Sequence, residues 1–265
     1  YEEIAQEMIA SDIDIIYGCG NLYYDNSGKK TKYPDYQYVG GKDFWEKFQN
    51  GTNYKRKLIT SKRDFLNLIN NPTNQKLLGL PEVYSTLQED RDGDKYATPN
   101  SVPLNENLPN LKELSLSAIN SLNLNENGFF LMIEGGAVDW AAHSNYKGRM
   151  IEEQNDFNKA VKAVVDWIEK NSNWEETLLI VTSDHETGYL TGVNGFDSGI
   201  VSNGIGKLPS MQFNSTHHTN VLVPLYAKGY GSELFDDYAD EIDSLRGYYI
   251  QNSEIGQVMF RTITR

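Results

Sequence analysis

The sequence predicts an α/β fold, with a largely parallel sheet covered by helices on both faces. Three observations carry this expectation. Short unbroken apolar runs, at 129–133 and 178–181, alternate with stretches of helical apolar spacing. Strands buried on both faces read as continuous apolar runs rather than as alternating ones. Strands alternating with helices along a chain give parallel sheets with helical cover. The chain has 265 residues, 39% of them hydrophobic, so it can bury one large core, and residues 1–265 are read as a single domain.

Each element is read in order. Residues 1–10 form a helix with Ile4, Met8 and Ile9 on one side, and 13–17 a buried strand ending at a glycine turn. Residues 21–55 are rich in Tyr, Asn, Gly and Lys without a sustained period, and read as a surface excursion. A short strand is expected at 57–59. Ser61 then caps a helix to Asn70 that buries Phe65, Leu66 and Ile69. A strand at 75–80 and a polar loop over 88–107 follow. Leu111, Leu114, Ala118, Ile119 and Leu122 have helical spacing. After the strand at 129–133, a helix runs from about 138 to 170, broken near Gly148, with Phe157, Val161, Val164 and Ile168 inward. The strand at 178–181 ends in Thr182-Ser183-Asp184-His185. A glycine-rich loop covers 188–216, longer than a plain connector needs. A strand at 221–227 and a helix capped by Ser253 complete the chain.

Charge and cysteine content narrow the function. The formal net charge of −13 repels nucleic acid and anionic lipid, which excludes both as expected partners. A phosphate-ester substrate conflicts with that charge unless bound cations invert the local field. No apolar run approaches the length of a membrane span. The single cysteine, Cys19, excludes a disulfide within the chain and a thiolate zinc cluster, so a transition-metal site must use histidines and carboxylates. The opening Tyr1-Glu2-Glu3 has no Met and does not resemble a native start, so the lack of a signal peptide there carries no weight.

All four histidines, His143, His185, His217 and His218, lie next to a predicted strand end or on the helix after it. Ligands gather at such ends in open α/β sheets. Asp139 and His143, spaced i and i+4, share one helix face and can share one metal, with His218 the candidate third ligand. Asp184 and His185 diverge from one turn and can reach one ion from two sides or bridge to a second. Glu134, beside Gly135-Gly136, is a hard oxygen ligand suited to magnesium. Taken singly, these are also a helix-surface contact, a capping turn, an exposed carboxylate and a solvated loop. Their joint placement at strand ends favours a metal site.

At these residues the chain resembles alkaline phosphatases. The segment from Gly128 to His143, with Glu134-Gly135-Gly136 and Asp139, resembles their glutamate, aspartate and histidine motif. Thr182-Ser183-Asp184-His185-Glu186-Thr187-Gly188 is similar to their aspartate-histidine motif, and His218-Thr219-Asn220 with Val223-Pro224 to their late histidine motif. Weaker similarity reaches both ends. The resemblance implies zinc held by Asp139, His143 and His218, a second zinc held by Asp184 and His185, and Glu134 as a magnesium ligand. It implies hydrolysis of small phosphate monoesters through a phosphoserine intermediate, a central sheet between helices, and a periplasmic or secreted location, and it leaves a homodimer open. No segment here matches the family's nucleophilic serine, bridging aspartate or phosphate-binding arginine. Ser183 is not assigned as nucleophile, His217 receives no ligand role, and Trp140 either walls a phosphate pocket or packs. Two other readings stay open: a related phosphodiesterase, sulfatase or phosphomutase, and a metal-binding fragment that is inactive without the part it lacks.

Overall fold

The computed structural model describes residues 1–51, 55–195 and 198–263. The expected surface excursion at 21–55 and the loop at 188–216 each contain residues outside this range, 52–54 and 196–197. The chain forms two compact units, one of Tyr1–Ala141 with Tyr146–Ala160, the other of Ala142–Asn145 with Val161–Arg265.

In the first unit, α1 (Glu2–Ala10) leads to β1 (Ile15–Tyr17). After a 3₁₀ turn at Gln37–Val39 come α2 (Lys42–Gln49), β2 (Lys57–Ile59), α3 (Lys62–Asn70), β3 (Leu77–Gly79) and α4 (Leu111–Leu122). The three strands form a parallel sheet in the order β1-β3-β2, with Leu77 opposite both Ile15 and Lys57. Parallel neighbours need crossover connections, and α2 and α3 lie in those connections. Phe65 and Leu68 of α3 pack with Ile59, Leu77 and Leu114, so α3 buries Leu68 rather than the expected Leu66 and Ile69. The Phe65 ring meets the Tyr17 ring edge-on at 5.2 Å. Gly79 lies against both rings, and a Cβ there would overlap them.

One reading of this unit needs correction. Residues 21–55 are not all surface excursion: α2 buries Trp45 and Phe48 in a cluster with Ile9, Leu22, Val39, Leu78 and Leu80. The polar loop 88–107 is held by a buried side chain. The Arg91 guanidinium donates to the Gln88, Val102 and Pro103 carbonyls and pairs with Glu152 at 2.8 Å.

The long helix expected from 138 is two helices, α5 (Ala137–His143) and α6 (Lys147–Asn171). The break falls at 144–146, just before Gly148, with Asn145 at φ 57°. Asparagine tolerates this left-handed conformation better than most residues. Gly148 is needed for packing, because a Cβ there would overlap the Ala97 carbonyl oxygen. The run 129–133 is in no ladder among the described residues.

In the second unit, β4 (Leu178–Val181) pairs with β9 (Tyr226–Gly229), β5 (Glu186–Thr187) with β8 (His218–Thr219), and β6 (Leu190–Thr191) with β7 (Gln212–Phe213). Then come α7 (Leu234–Tyr238), the hairpin β10 (Glu241–Asp243) with β11 (Gly247–Tyr249), and α8 (Asn252–Ile263). All these ladders are antiparallel, so parallel pairing is found in the first unit. The strand expected at 221–227 enters its ladder only at Tyr226, and Ser253 stands inside α8 rather than before it. Leu234, Phe235 and Val258 form one core cluster of this unit, with Ile180, Leu225 and Ala227 packed on it. Among the described residues, no helix is long and apolar enough to cross a membrane.

Candidate metal centre

Three histidines of the second unit converge. α5 ends at His143, β4 runs into the turn bearing Asp184 and His185, and β8 contains His218. The β5–β8 ladder fixes the spacing of the last two, since it sets His218 opposite Thr187 and Thr219 opposite Glu186. The Thr219 hydroxyl donates to the Glu186 carboxylate, which also accepts from the Leu190 N–H at 3.1 Å.

The rings then meet. His143 Nε2 faces His218 Nε2 at 2.9 Å, and the His185 ring stacks on His218 with centroids 3.5 Å apart. His185 and His218 each hold a ligand atom within 4.8 Å of the other's. His185 Nε2 lies 3.1 Å from an Asp184 carboxylate oxygen, and its Nδ1 lies 3.2 Å from the Thr187 hydroxyl.

His143 Nδ1 lies 2.6 Å from the Thr216 carbonyl oxygen. A carbonyl only accepts, so Nδ1 carries the hydrogen and Nε2 is the nitrogen that faces His218. Fixing a ring tautomer through a carbonyl behind it is how metal-ligating histidines are held. The donor chemistry fits zinc, which takes imidazole nitrogen and carboxylate oxygen at about 2.0–2.2 Å. A tetrahedral ion between the two Nε2 atoms would space them about 3.3 Å apart, so the rings need to part by only a few tenths of an ångström.

The remaining candidates are placed as follows. Asp139 stands one helical turn before His143 on α5. Glu134 is exposed in the first unit, its carboxylate folded beside Gly136. The Ser183 hydroxyl donates to the His185 carbonyl at 2.7 Å and so shapes the turn. His217 is exposed, with its backbone N–H bonded to the Ser215 hydroxyl, and Trp140 is about half exposed.

Residues 1–259 match the family model described as Alkaline phosphatase. The chain belongs to the alkaline phosphatase family. It is 47% identical over 88 residues to Alkaline phosphatase 4 of Bacillus subtilis (strain 168), covering 33% of this chain and 18% of that protein. It is 28% identical over 275 residues to the membrane-bound alkaline phosphatase of Bombyx mori, covering 99% of this chain and 44% of that protein. The chain therefore spans less than half the length of these relatives. Among solved structures, alkaline phosphatase from the Antarctic bacterium TAB5 superposes with TM-score 0.63 at 22% identity, over 99% of this chain and 64% of that one. The cold-active alkaline phosphatase of a psychrophilic Shewanella gives TM-score 0.64 at 22% identity, over 100% and 69%. At these identities the likeness shows the fold, which is the alkaline-phosphatase α/β fold. A TAB5 variant is described with Mg bound in its M3 site.

Sequence reasoning missed Thr216, because a backbone carbonyl leaves no trace in residue identity. It also missed the Glu186–Thr219 bond. The signal for that bond was present, since each residue directly follows a candidate histidine.

Proposed function

We propose that this chain is the metal-holding part of a phosphomonoesterase. Zinc is held by Asp139, His143 and His218, with a second zinc on Asp184 and His185 and magnesium on Glu134. The observation that carries this reading is His143, whose Nδ1 is bonded to Thr216 and whose Nε2 faces a second imidazole. Solvated surface histidines have no reason to meet in this way. The metals, when bound, supply Lewis-acid stabilisation of the attacking and leaving oxygens of an in-line phosphoryl displacement. The chain's own residues orient the site. The Thr216 carbonyl sets the His143 tautomer, the Thr187 hydroxyl holds the His185 ring, and the Glu186–Thr219 bond keeps β5, which follows His185, in register with β8, which bears His218. The nucleophile in this reading is a serine outside these 265 residues, and the intermediate is a phosphoserine. Family membership favours a monoester substrate over the diester or sulfate alternatives, and it supports a periplasmic or secreted location.

Calorimetric titration of zinc into the metal-free chain tests the reading. His143→Ala and His218→Ala are each expected to weaken zinc binding by at least about tenfold, the lower end of what even outer-sphere losses cost. Nitrogen NMR is expected to find His143 protonated at Nδ1 before and after zinc. Wild-type zinc affinity in both variants sinks the reading.

A further inference from the structure

We propose that the first unit contains a second ligand site, a pocket for a small aromatic carboxylate at the carboxyl ends of its parallel strands. The topology of the sheet explains why a pocket forms there. β1 is followed by α2, which packs with Ile16, Leu58 and Leu78 on one face of the sheet. β2 is followed by α3, which packs with Ile15, Ile59 and Leu77 on the other. β3 leads on to α4, which joins that second face through Leu114. The chain therefore leaves β1 toward one face and its neighbour β3 toward the other. Such a switch opens a crevice beyond the strand ends, and ligands of open α/β sheets bind there.

The crevice is a cavity of about 310 Å³, the size at which ligand pockets begin. Each strand supplies it with a residue past its end: Asn21 after β1, Thr60 after β2 and Leu80 after β3. Asn21 is 3% exposed and donates to the Leu80 carbonyl at 3.0 Å, so it ties the two diverging segments together. Buried Trp45 of α2 adds apolar lining. The remaining wall is a hairpin closed by this chain alone. Tyr24 bridges Lys30, and the Thr31 N–H donates to the Tyr23 carbonyl at 2.9 Å.

The ligand chemistry follows from the lining. Tyr23, Tyr24 and Trp45 give aromatic surface, against which a flat ring packs well. The Tyr24 hydroxyl donates to Glu82 at 2.8 Å, whereas the Tyr23 hydroxyl accepts from the Trp45 indole at 3.3 Å and keeps its hydrogen to donate. The lining holds no carboxylate, although the chain carries −13 overall. Its one charged residue is Lys30. Neighbouring Lys29 is spent on Asp92, but among the described residues no carboxylate pairs with Lys30. A carboxylate matches that single positive charge, whereas a phosphate monoester carries about two negative charges. None of the metal candidates lines the cavity, so the inference does not rest on the proposed function.

The test titrates phenylacetate into the metal-free 265-residue chain and follows the Trp45 indole N–H by nitrogen–proton NMR. A saturable shift is expected, with a dissociation constant of about 1 mM, ordinary for so small a ligand. Phenethylamine, the same ring on a cation, is expected to bind at least about tenfold more weakly, since its charge opposes that of Lys30. Lys30→Met is expected to weaken phenylacetate binding at least about fivefold, in keeping with the loss of one bond to a charged group. Its thermal midpoint is expected to stay at the wild-type value, because Lys30 is exposed. No saturable Trp45 shift at about tenfold higher phenylacetate overturns the proposal. Equal binding of the cation, or unchanged phenylacetate affinity in Lys30→Met, also overturns it.

Discussion

At the scale of residues, the chemistry rests on how side chains are held. His143 is oriented by a carbonyl behind it. Glu153 is the opposite case. It is buried on α6, and one carboxylate oxygen has no hydrogen-bond partner. Burial, and then the charges of Asp156 and Glu89, push it up to about 8 from an ordinary 4.5. The sign follows from proton linkage: between these two values the unfolded carboxyl has released a proton that the folded one keeps. Glu153 therefore lowers stability progressively as pH rises from about 4.5 toward about 8. Glu153→Gln removes the titration. Its thermal midpoint relative to wild type is expected to climb steadily between pH 5 and pH 8. A constant difference across that window refutes the assignment.

At the scale of elements, legibility tracked the presence of a local signal. The helix opened by Ser61 was readable because Ser61 accepts from the Asp64 N–H at 3.2 Å, and serine there is a strong start signal. α2 was not readable. It begins after Gly40-Gly41 with no side-chain cap, and its buried pair, Trp45 and Phe48, spans less than one turn. The run 129–133 was read as a doubly buried strand from its composition, but its pairing partner cannot be read from the run itself. α4 offers a direct measure of such a signal. The Asn110 side chain accepts from the Glu113 N–H at 2.9 Å, and the Glu113 carboxylate accepts from the Asn110 N–H at 3.0 Å, which completes a capping box. Asn110→Ala is expected to lower unfolding stability by about 1 kcal/mol, within the usual 0.5–2 kcal/mol for a lost cap. Urea denaturation measures it, and an unchanged midpoint with unchanged slope refutes it.

At the scale of the whole molecule, charge and coverage together decide what the chain does alone. The candidate ligands were legible because histidine is scarce, four in 265 residues, and two of the four, His143 and His185, stand in a motif with a carboxylate, Asp139 and Asp184. The arrangement that orients them was not, because it uses backbone carbonyls and a two-residue ladder. A molecule of net charge −13 opposes the approach of a phosphate dianion unless cations fill the site. In the proposed reading, filling it supplies electrostatic stabilisation but no oxygen nucleophile held in line with the leaving group. In-line positioning is the larger requirement, since it replaces an encounter with a fixed geometry worth about 7–11 kcal/mol of barrier. Ser183 does not meet it, because its hydroxyl is committed to the His185 carbonyl. The 265-residue chain with zinc and magnesium added is therefore expected to bind inorganic phosphate in a metal-dependent manner, yet to leave an aryl phosphate essentially unhydrolysed. Stopped assays with metal-loaded and chelated samples check both halves. Turnover by the pure chain at an enzyme-like rate, about 1 to 10³ per second, combined with its loss in Ser183→Ala, would place the nucleophile inside this sequence and overturn the reading that it lies elsewhere.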